Sequence, residues 1–262
     1  MSGEADPAAE PVEHARRIIA SACRLVALTG AGISTEAGIP DFRGPSGIWT
    51  KDPAAERLST LSHYLEEEQT RRRSWASRLG APVWSARPTA GHAALVELER
   101  RGVLHTIVTQ NTDGLHQLAG SSPERVVEIH GTSHLTICWS CGDRQPTLSV
   151  LERVRAGDTD PRCEKPRGDA LCGGILKTAT VSFGQSLDQD DLERARRAAA
   201  RCDVLLAIGT TLEVQPVAGM VPIAKRSGAR ILILNRGPTP YDTMADVVVS
   251  GRIGEILPVL AA

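Results

Sequence analysis

The chain has 262 residues, 41% of them hydrophobic, and a formal net charge of -1. That length can bury a full core and suits one large domain with a smaller lobe, and the composition excludes a disordered tail protein. Near-neutral charge gives no strong field for nucleic acid or membrane, and with aromatics at 3% the core must be built from Val, Ile, Leu and Ala.

Residues 1–11 are small, acidic and polar, lack the basic and apolar regions of a signal peptide, and are expected to fray. No later apolar run reaches membrane-spanning length, so a cytoplasmic location is expected. Residues 12–23 predict a helix and 24–29 an apolar strand. The chain then enters Gly30-Ala-Gly-Ile-Ser-Thr-Glu-Ala-Gly38, a strand-to-helix turn of small residues. Such a turn lets backbone N–H groups approach a pyrophosphate, or it is simply a tight structural turn. The spacing is not G-x-G-x-x-G, and no acidic residue stands at the end of the next strand. Asp41, Phe42 and Arg43, bounded by Pro40 and Gly44, are costly residues for a plain loop.

Residues 53–88 are polar, with a charged helical cluster at 66–73, and predict a helical excursion. A helix at 90–101 precedes a short strand at 105–109. The apolar strand 126–129 ends at His130, an imidazole that either packs or caps, or accepts a proton near neutrality. His116, framed by Leu115 and Leu118, reads as a packing residue. Residues 134–175 hold a tight cysteine pair, Cys138 and Cys141, and a loose one, Cys163 and Cys172, around a possible helix at 148–156. Four thiolates at knuckle spacing predict a tetrahedral zinc site, which leaves no open position for substrate and is therefore structural. Cys23 and Cys202 read as buried small hydrophobes. Continuous apolar runs at 203–208 and 230–234, helices at 190–201 and 217–227, a strand at 247–249 and a helix at 253–260 complete the pattern. Apolar strands alternating with helices predict an α/β fold, a doubly wound parallel sheet covered on both faces.

Several motifs, in order, now point one way. Residues 30–49, GAGISTEAGIPDFRGPSGIW, are followed by Thr109-Gln-Asn-Thr-Asp-Gly-Leu-His116, His130-Gly131, Gly209-Thr-Thr-Leu-Glu-Val-Gln-Pro216 and Asn235. This series resembles the sirtuins, NAD-dependent protein deacylases, over residues 24–258. The resemblance implies a Rossmann-like large domain formed by 12–52, 89–133 and 176–262. A small lobe would come from a helical insert, 53–88, and a zinc-binding insert, 134–175.

The resemblance also implies roles. Gly30, Ala31, Gly32, Ser34, Arg43 and Trp49 belong to the NAD site, with Phe42 covering the reacting ribose. Gln110 and Asn111 bind the nicotinamide ribose, and Asp113 with Ile39 and Asp41 receives the carboxamide. Gly209, Thr210 and Thr211 support phosphate and ribose, Asn235 and Arg236 lie at the adenosine ribose, and Ile253 flanks the adenine. His130 is the implied base, with Asn111 and Asp113 as catalytic partners. Val181, Phe183 and Gly184 on one side and Val214 on the other would hold an acylated peptide as an added strand. Val181 and Phe183 otherwise read as ordinary strand residues.

This chain departs from the family pattern in four places. Gln185 replaces the usual Glu, removing a negative charge from the peptide channel. Tyr64 is followed three positions on by Glu67 rather than by the Arg of succinyl- or malonyl-selective members, which favours acetyl or another uncharged acyl group. Thr112 replaces Ile or Val. Cys163 and Cys172 are nine positions apart instead of the usual two to four. Two rival readings remain at this level. One is ADP-ribosyl transfer from the same NAD site. The other is a zinc-knuckle binding module, which lacks the basic aromatic surface that nucleic acid would need. Acylated proteins are therefore the expected partners, with neither membrane nor direct nucleic-acid binding.

Overall fold

The structure, a computed structural model, describes residues 9–41, 47–51 and 57–262. Among them, six strands form one parallel sheet: β1 (Leu25–Thr29), β2 (Leu104–Thr109), β3 (Val126–Glu128), β9 (Val204–Ile208), β10 (Arg230–Leu234) and β11 (Val247–Val249). Their order is β11-β10-β9-β1-β2-β3. Every residue of β1 and β9 is buried, which requires cover on both faces. Alternation supplies it. Leu25 and Ala27 enter one core with Ile19, Leu95, Leu98 and Leu257. Val26 and Leu28 enter the other with Leu192, Ala195, Val221 and Ala224. The first core is roofed by α1 (Ala9–Ala20), α5 (Ala90–Arg100) and α10 (Ile253–Ala261), the second by α8 (Gln189–Arg201) and α9 (Met220–Arg226).

Helix ends are set by local chemistry. Thr89 caps α5 in a reciprocal box with His92, and the Asp188 carboxylate accepts from the backbone N–H groups of Asp190 and Asp191 at the start of α8. The strand order reverses at β1, whose neighbours β2 and β9 belong to opposite halves of the chain. Ligand crevices of doubly wound sheets lie at that reversal, beyond the carboxyl ends of the strands.

A second layer departs from the main sheet. β4 (Gly131–Cys138) pairs antiparallel with β5 (Arg144–Pro146) and β8 (Leu176–Thr180). Between them lie α7 (Thr147–Arg155) and a hairpin of β6 (Pro166–Arg167) and β7 (Ala170–Leu171). That hairpin absorbs the long Cys163–Cys172 interval. The helical insert contributes α2 (Ile48–Lys51), α3 (Leu61–Glu66) and α4 (Glu68–Leu79). Trp75 of α4 is buried with Cys138, Val150, Leu151, Cys163 and Leu176, so the two inserts share one core. They are also tied by polar contacts. Arg71 Nε lies 3.0 Å from an Asp160 carboxylate oxygen, and the Tyr64 hydroxyl donates to the Leu176 carbonyl at 2.7 Å.

Four expectations change. The three-stranded sheet begins at Gly131 and takes in 176–180, on either side of the expected insert. Residues 217–227 open with a 3-10 turn, Val217–Gly219, before α9. Val214 lies in a bend before the cis Gln215–Pro216 bond, not in a strand. Cys202 is buried as expected, but Cys23 is exposed, because its backbone N–H is held by the Asp203 carboxylate at the chain's turn into β1. No helix among the described residues is long and apolar enough to cross a membrane.

Candidate active site

The carboxyl ends of β1 and β9 meet backbone to backbone. Gly32 N–H donates to the Gly209 carbonyl at 2.9 Å. A Cβ on Gly32 would lie 2.6 Å from Gly209 Cα, and one on Gly209, whose φ is +59°, would lie 2.7 Å from Gly32 Cα. A Cβ on Gly30 would meet the Gly209 oxygen at 2.7 Å. These glycines are therefore needed for two loops to touch across the strand reversal. From Ala31 to Ala37 the chain makes a 3-10 helix that buries Ile33 and Ser34 and ends at Gly38 with φ +83°.

Polar side chains from three loops converge behind this contact. The Ser34 hydroxyl donates to Asp113 Oδ2 at 2.7 Å, and Asn111 Nδ2 donates to the Gly30 carbonyl at 3.0 Å and to Ser34 Oγ at 3.2 Å. Asp113 Oδ1 accepts from Leu115 N–H at 2.9 Å, at the start of α6 (Leu115–Ala119). Gln110 reaches across the crevice from β2 to donate to Thr210 Oγ1 at 2.9 Å. Both Asn111 and Asp113 are buried, and every one of these donors has found an acceptor, as a buried network requires.

His130 follows β3 at the same edge. Its Nδ1 lies 3.0 Å from the Gln110 carbonyl. A carbonyl only accepts, so Nδ1 carries the proton and Nε2 keeps its lone pair. Burial lowers the imidazole pKa, opposed by that same hydrogen bond. The ring is thus held neutral at neutral pH in a single tautomer, which is the state of a proton acceptor. Val181 N–H donates to the His130 carbonyl at 2.8 Å, linking this residue to the segment after β8. Phe183 forms an isolated bridge with Thr60, and Gly184 turns the chain with φ +80°.

Other expected positions are more dispersed. Thr211 follows Thr210 in the loop after β9. Asn235 follows β10, donating from Nδ2 to the Gly237 carbonyl at 2.8 Å, beside exposed Arg236. Ile253 opens α10 and is buried against Gly91. Ile39 and Asp41 continue from the 3-10 helix. Phe42 and Arg43 lie outside the described residues, as does the side chain of Trp49.

His116 packs as expected, but its buried contact with His92 was missed from sequence. His92 and His116 are buried with ring centroids 4.9 Å apart, and His116 Nε2 lies 2.9 Å from Thr29 Oγ1. Burial pushes His92 down to about 4 and His116 to about 3. The Thr89-x-x-His92 capping box was the available signal, but by itself it reports only a helix start.

The four sulfurs of Cys138, Cys141, Cys163 and Cys172 lie within 4.8 Å of one another. Cys138–Cys172 and Cys141–Cys163 are 3.7 and 3.8 Å apart. A tetrahedron with metal–sulfur bonds of about 2.3 Å has edges of about 3.8 Å, so the donor set fits one thiophilic ion. This cluster belongs to the small-lobe core, while His130 stands at the edge of the main sheet.

Fold and site together define a Rossmann-like protein with a tetrathiolate lobe and a neutral histidine at its ligand crevice. The model of the Sir2 family matches residues 30–216. NAD-dependent protein deacetylase 2 of Streptomyces coelicolor is 48% identical over 233 residues, covering 89% of this chain and 94% of that protein. A solved structure bearing on the mechanism and regulation of Sir2 enzymes superposes with a TM-score of 0.85 at 36% identity, covering 96% of each chain. A Sir2 variant with a deacetylated p53 peptide and 3′-O-acetyl ADP-ribose gives a TM-score of 0.86 at 30% identity, covering 95% of this chain and 96% of that one. The chain belongs to the Sir2 family, the sirtuins.

Proposed function

We infer that this sirtuin is an NAD-dependent protein-lysine deacylase, an enzyme converting acyl-lysine and NAD to lysine, nicotinamide and O-acyl-ADP-ribose. The observation that carries the mechanism is the His130 Nδ1–Gln110 carbonyl bond, which leaves Nε2 as the acceptor at the crevice. NAD lies across the Gly30–Gly209 contact, with Ala31, Gly32, Thr210 and Thr211 at its phosphates and riboses. Asn235, Arg236 and Ile253 serve the adenosine end, and Phe42, Arg43 and Trp49 are assigned to the dinucleotide from the sequence resemblance alone. Asp113, oriented by Ser34 and the Leu115 N–H, works with Ile39 and Asp41 to hold the nicotinamide carboxamide.

Bound NAD would supply a ribose carbon from which the acyl oxygen of the substrate displaces nicotinamide. His130 Nε2 would accept the proton of the ribose 2′-hydroxyl as that oxygen attacks the acyl carbon, and addition of water would break the acyl carbon–nitrogen bond, releasing the lysine amine and leaving the acyl group on the ribose. The protein's share is positioning, proton acceptance and exclusion of water. Val181, Phe183, Gly184 and Val214 hold the acylated peptide, and an uncharged acyl group such as acetyl is preferred.

Zinc is the proposed ion for the four cysteines, and with all four positions taken it supplies only cross-linking of the small lobe. The domain division is Rossmann-like for 12–52, 89–133 and 176–262, with 53–88 and 134–175 as the lobe, except that 131–133 and 176–180 pair with the lobe in the three-stranded sheet. Reduced thiols at such a site suit a cytoplasmic location. The test is a panel of acylated lysine peptides, with and without NAD, read by mass spectrometry. Nicotinamide, free lysine and O-acyl-ADP-ribose should appear together, and His130→Ala should lower turnover by roughly 10²–10⁴-fold with the fold intact. Full NAD-dependent turnover in His130→Ala would sink the assignment.

A further inference from the structure

A cavity of about 410 Å³ lies between α3 and the peptide segment, lined by Leu61, Leu65, Glu66, Phe183 and Gly184 with Thr60 and Ser62. Its two walls are fixed to each other. Phe183 N–H donates to the Ser59 carbonyl at 2.8 Å, and Leu61 N–H donates to the Phe183 carbonyl at 3.0 Å. Leu61, Leu65 and the half-exposed Phe183 give an apolar surface, and no atom lies within 4 Å of where a Cβ on Gly184 would stand.

The charges here are divided unequally. Glu67, next in sequence, is engaged by Arg57 at 2.9 Å, by His63 at 3.0 Å and by the Thr70 hydroxyl at 2.6 Å. Glu66 lines the cavity, is exposed, and forms no ion pair among the described residues. Gln185, which turns back to accept the Ser182 N–H at 3.2 Å, brings no charge. Aliphatic walls with one uncommitted carboxylate complement a long side chain that is apolar along its stem and cationic at its tip.

We propose that this cavity is a subsite for a Lys or Arg side chain flanking the acylated lysine, with its methylenes on Leu61, Leu65 and Phe183 and its charge at Glu66. The carboxylate that selects basic flanking residues thus comes from α3 rather than from position 185. This rests on the deacylase reading and deepens it to a class of acylated sequence.

The experiment uses acetyl-lysine peptides carrying Arg, Ala or Glu at each flanking position in turn, and reads kcat/KM by nicotinamide release. In the wild-type protein, Arg should exceed Ala at one flanking position by roughly two- to fivefold, through KM, as expected of a solvent-exposed ion pair. High salt should shrink that ratio. Glu66→Gln should bring it near unity, and Glu66→Lys should turn the preference toward Glu. Because each ratio is taken within one protein, a general loss of activity does not mimic the result. Turnover with no Arg preference at any position, or an Arg preference unchanged in Glu66→Gln, overturns the subsite alone. Absence of nicotinamide release from every peptide overturns the deacylase reading and the subsite with it.

Discussion

His130 can accept a proton only while Nε2 is bare, and burial lowers its pKa from the ordinary imidazole value. The acid limb of kcat/KM against pH is therefore expected below the usual histidine range of about 6.5. A limb at or above that value would contradict the geometry. His92 and His116 act on stability instead. Both are buried neutral, with folded values near 4 and 3, below those of the unfolded chain. The unfolded state thus binds more protons as pH falls from about 6.5 toward 4, and stability drops by up to about 1.4 kcal/mol per pH unit for each ring. Urea melts across that window should show the slope, and His116→Gln should flatten it.

At this scale, the convergence of Ser34, Asn111 and Asp113 was legible as neighbouring loops, because short motifs at the ends of apolar strands are brought together by the sheet itself. The Gln110–Thr210 bond and the His92–His116 contact were not. Gln110 and Thr210 were each assigned to the site, but nothing in either motif shows that their side chains bond to each other, and His92 and His116 look like ordinary helix residues.

Elements meet backbone to backbone where the loops after β1 and β9 touch. Gly209→Ala would place a methyl 2.7 Å from Gly32 Cα at φ +59°. Loop separation should weaken NAD binding by at least tenfold in calorimetry and also lower Tm. The lobe has its own seam in Arg71 and Asp160, whose side chains are 5% and 11% exposed. Arg71→Met leaves the Asp160 carboxylate with Arg162 alone, at 2.8 Å, and should cost roughly 1–3 kcal/mol by denaturant titration. Much less than 1 kcal/mol would mean that the inserts are held by their apolar core alone.

The main-sheet strands were readable because continuous apolar runs have few alternatives. β4 and β8 were not, since Thr132, His134, Lys177 and Thr178 look polar. Lys177 is nevertheless buried, its ammonium satisfied by the carbonyls of Thr178 and Thr180. The Tyr64 and Arg71 ties are likewise invisible in a sequence, because their partners, at Leu176 and Asp160, lie far along the chain.

Across the whole molecule, the thiolate cluster and the helical insert are one packed body through Trp75. Chelating the metal should therefore disturb α4 as well as the cysteine loops. Loss of near-ultraviolet tryptophan dichroism should accompany loss of deacylation, and both should return with zinc or another tetrahedral ion. Retained activity with the ion fully removed would contradict this coupling.

The central position of β1 has a consequence for synthesis. Leu25–Thr29 is made about 175 residues before its partner Val204–Ile208. At about 5–20 residues per second, one edge of the most buried strand waits roughly ten to thirty-five seconds for its neighbour. During that interval the nascent chain carries an apolar, unpaired β-edge, a natural client for holding chaperones and a site for aggregation when they are scarce. The reversal of strand order that creates the ligand crevice also delays its completion until the chain has been made through Ile208.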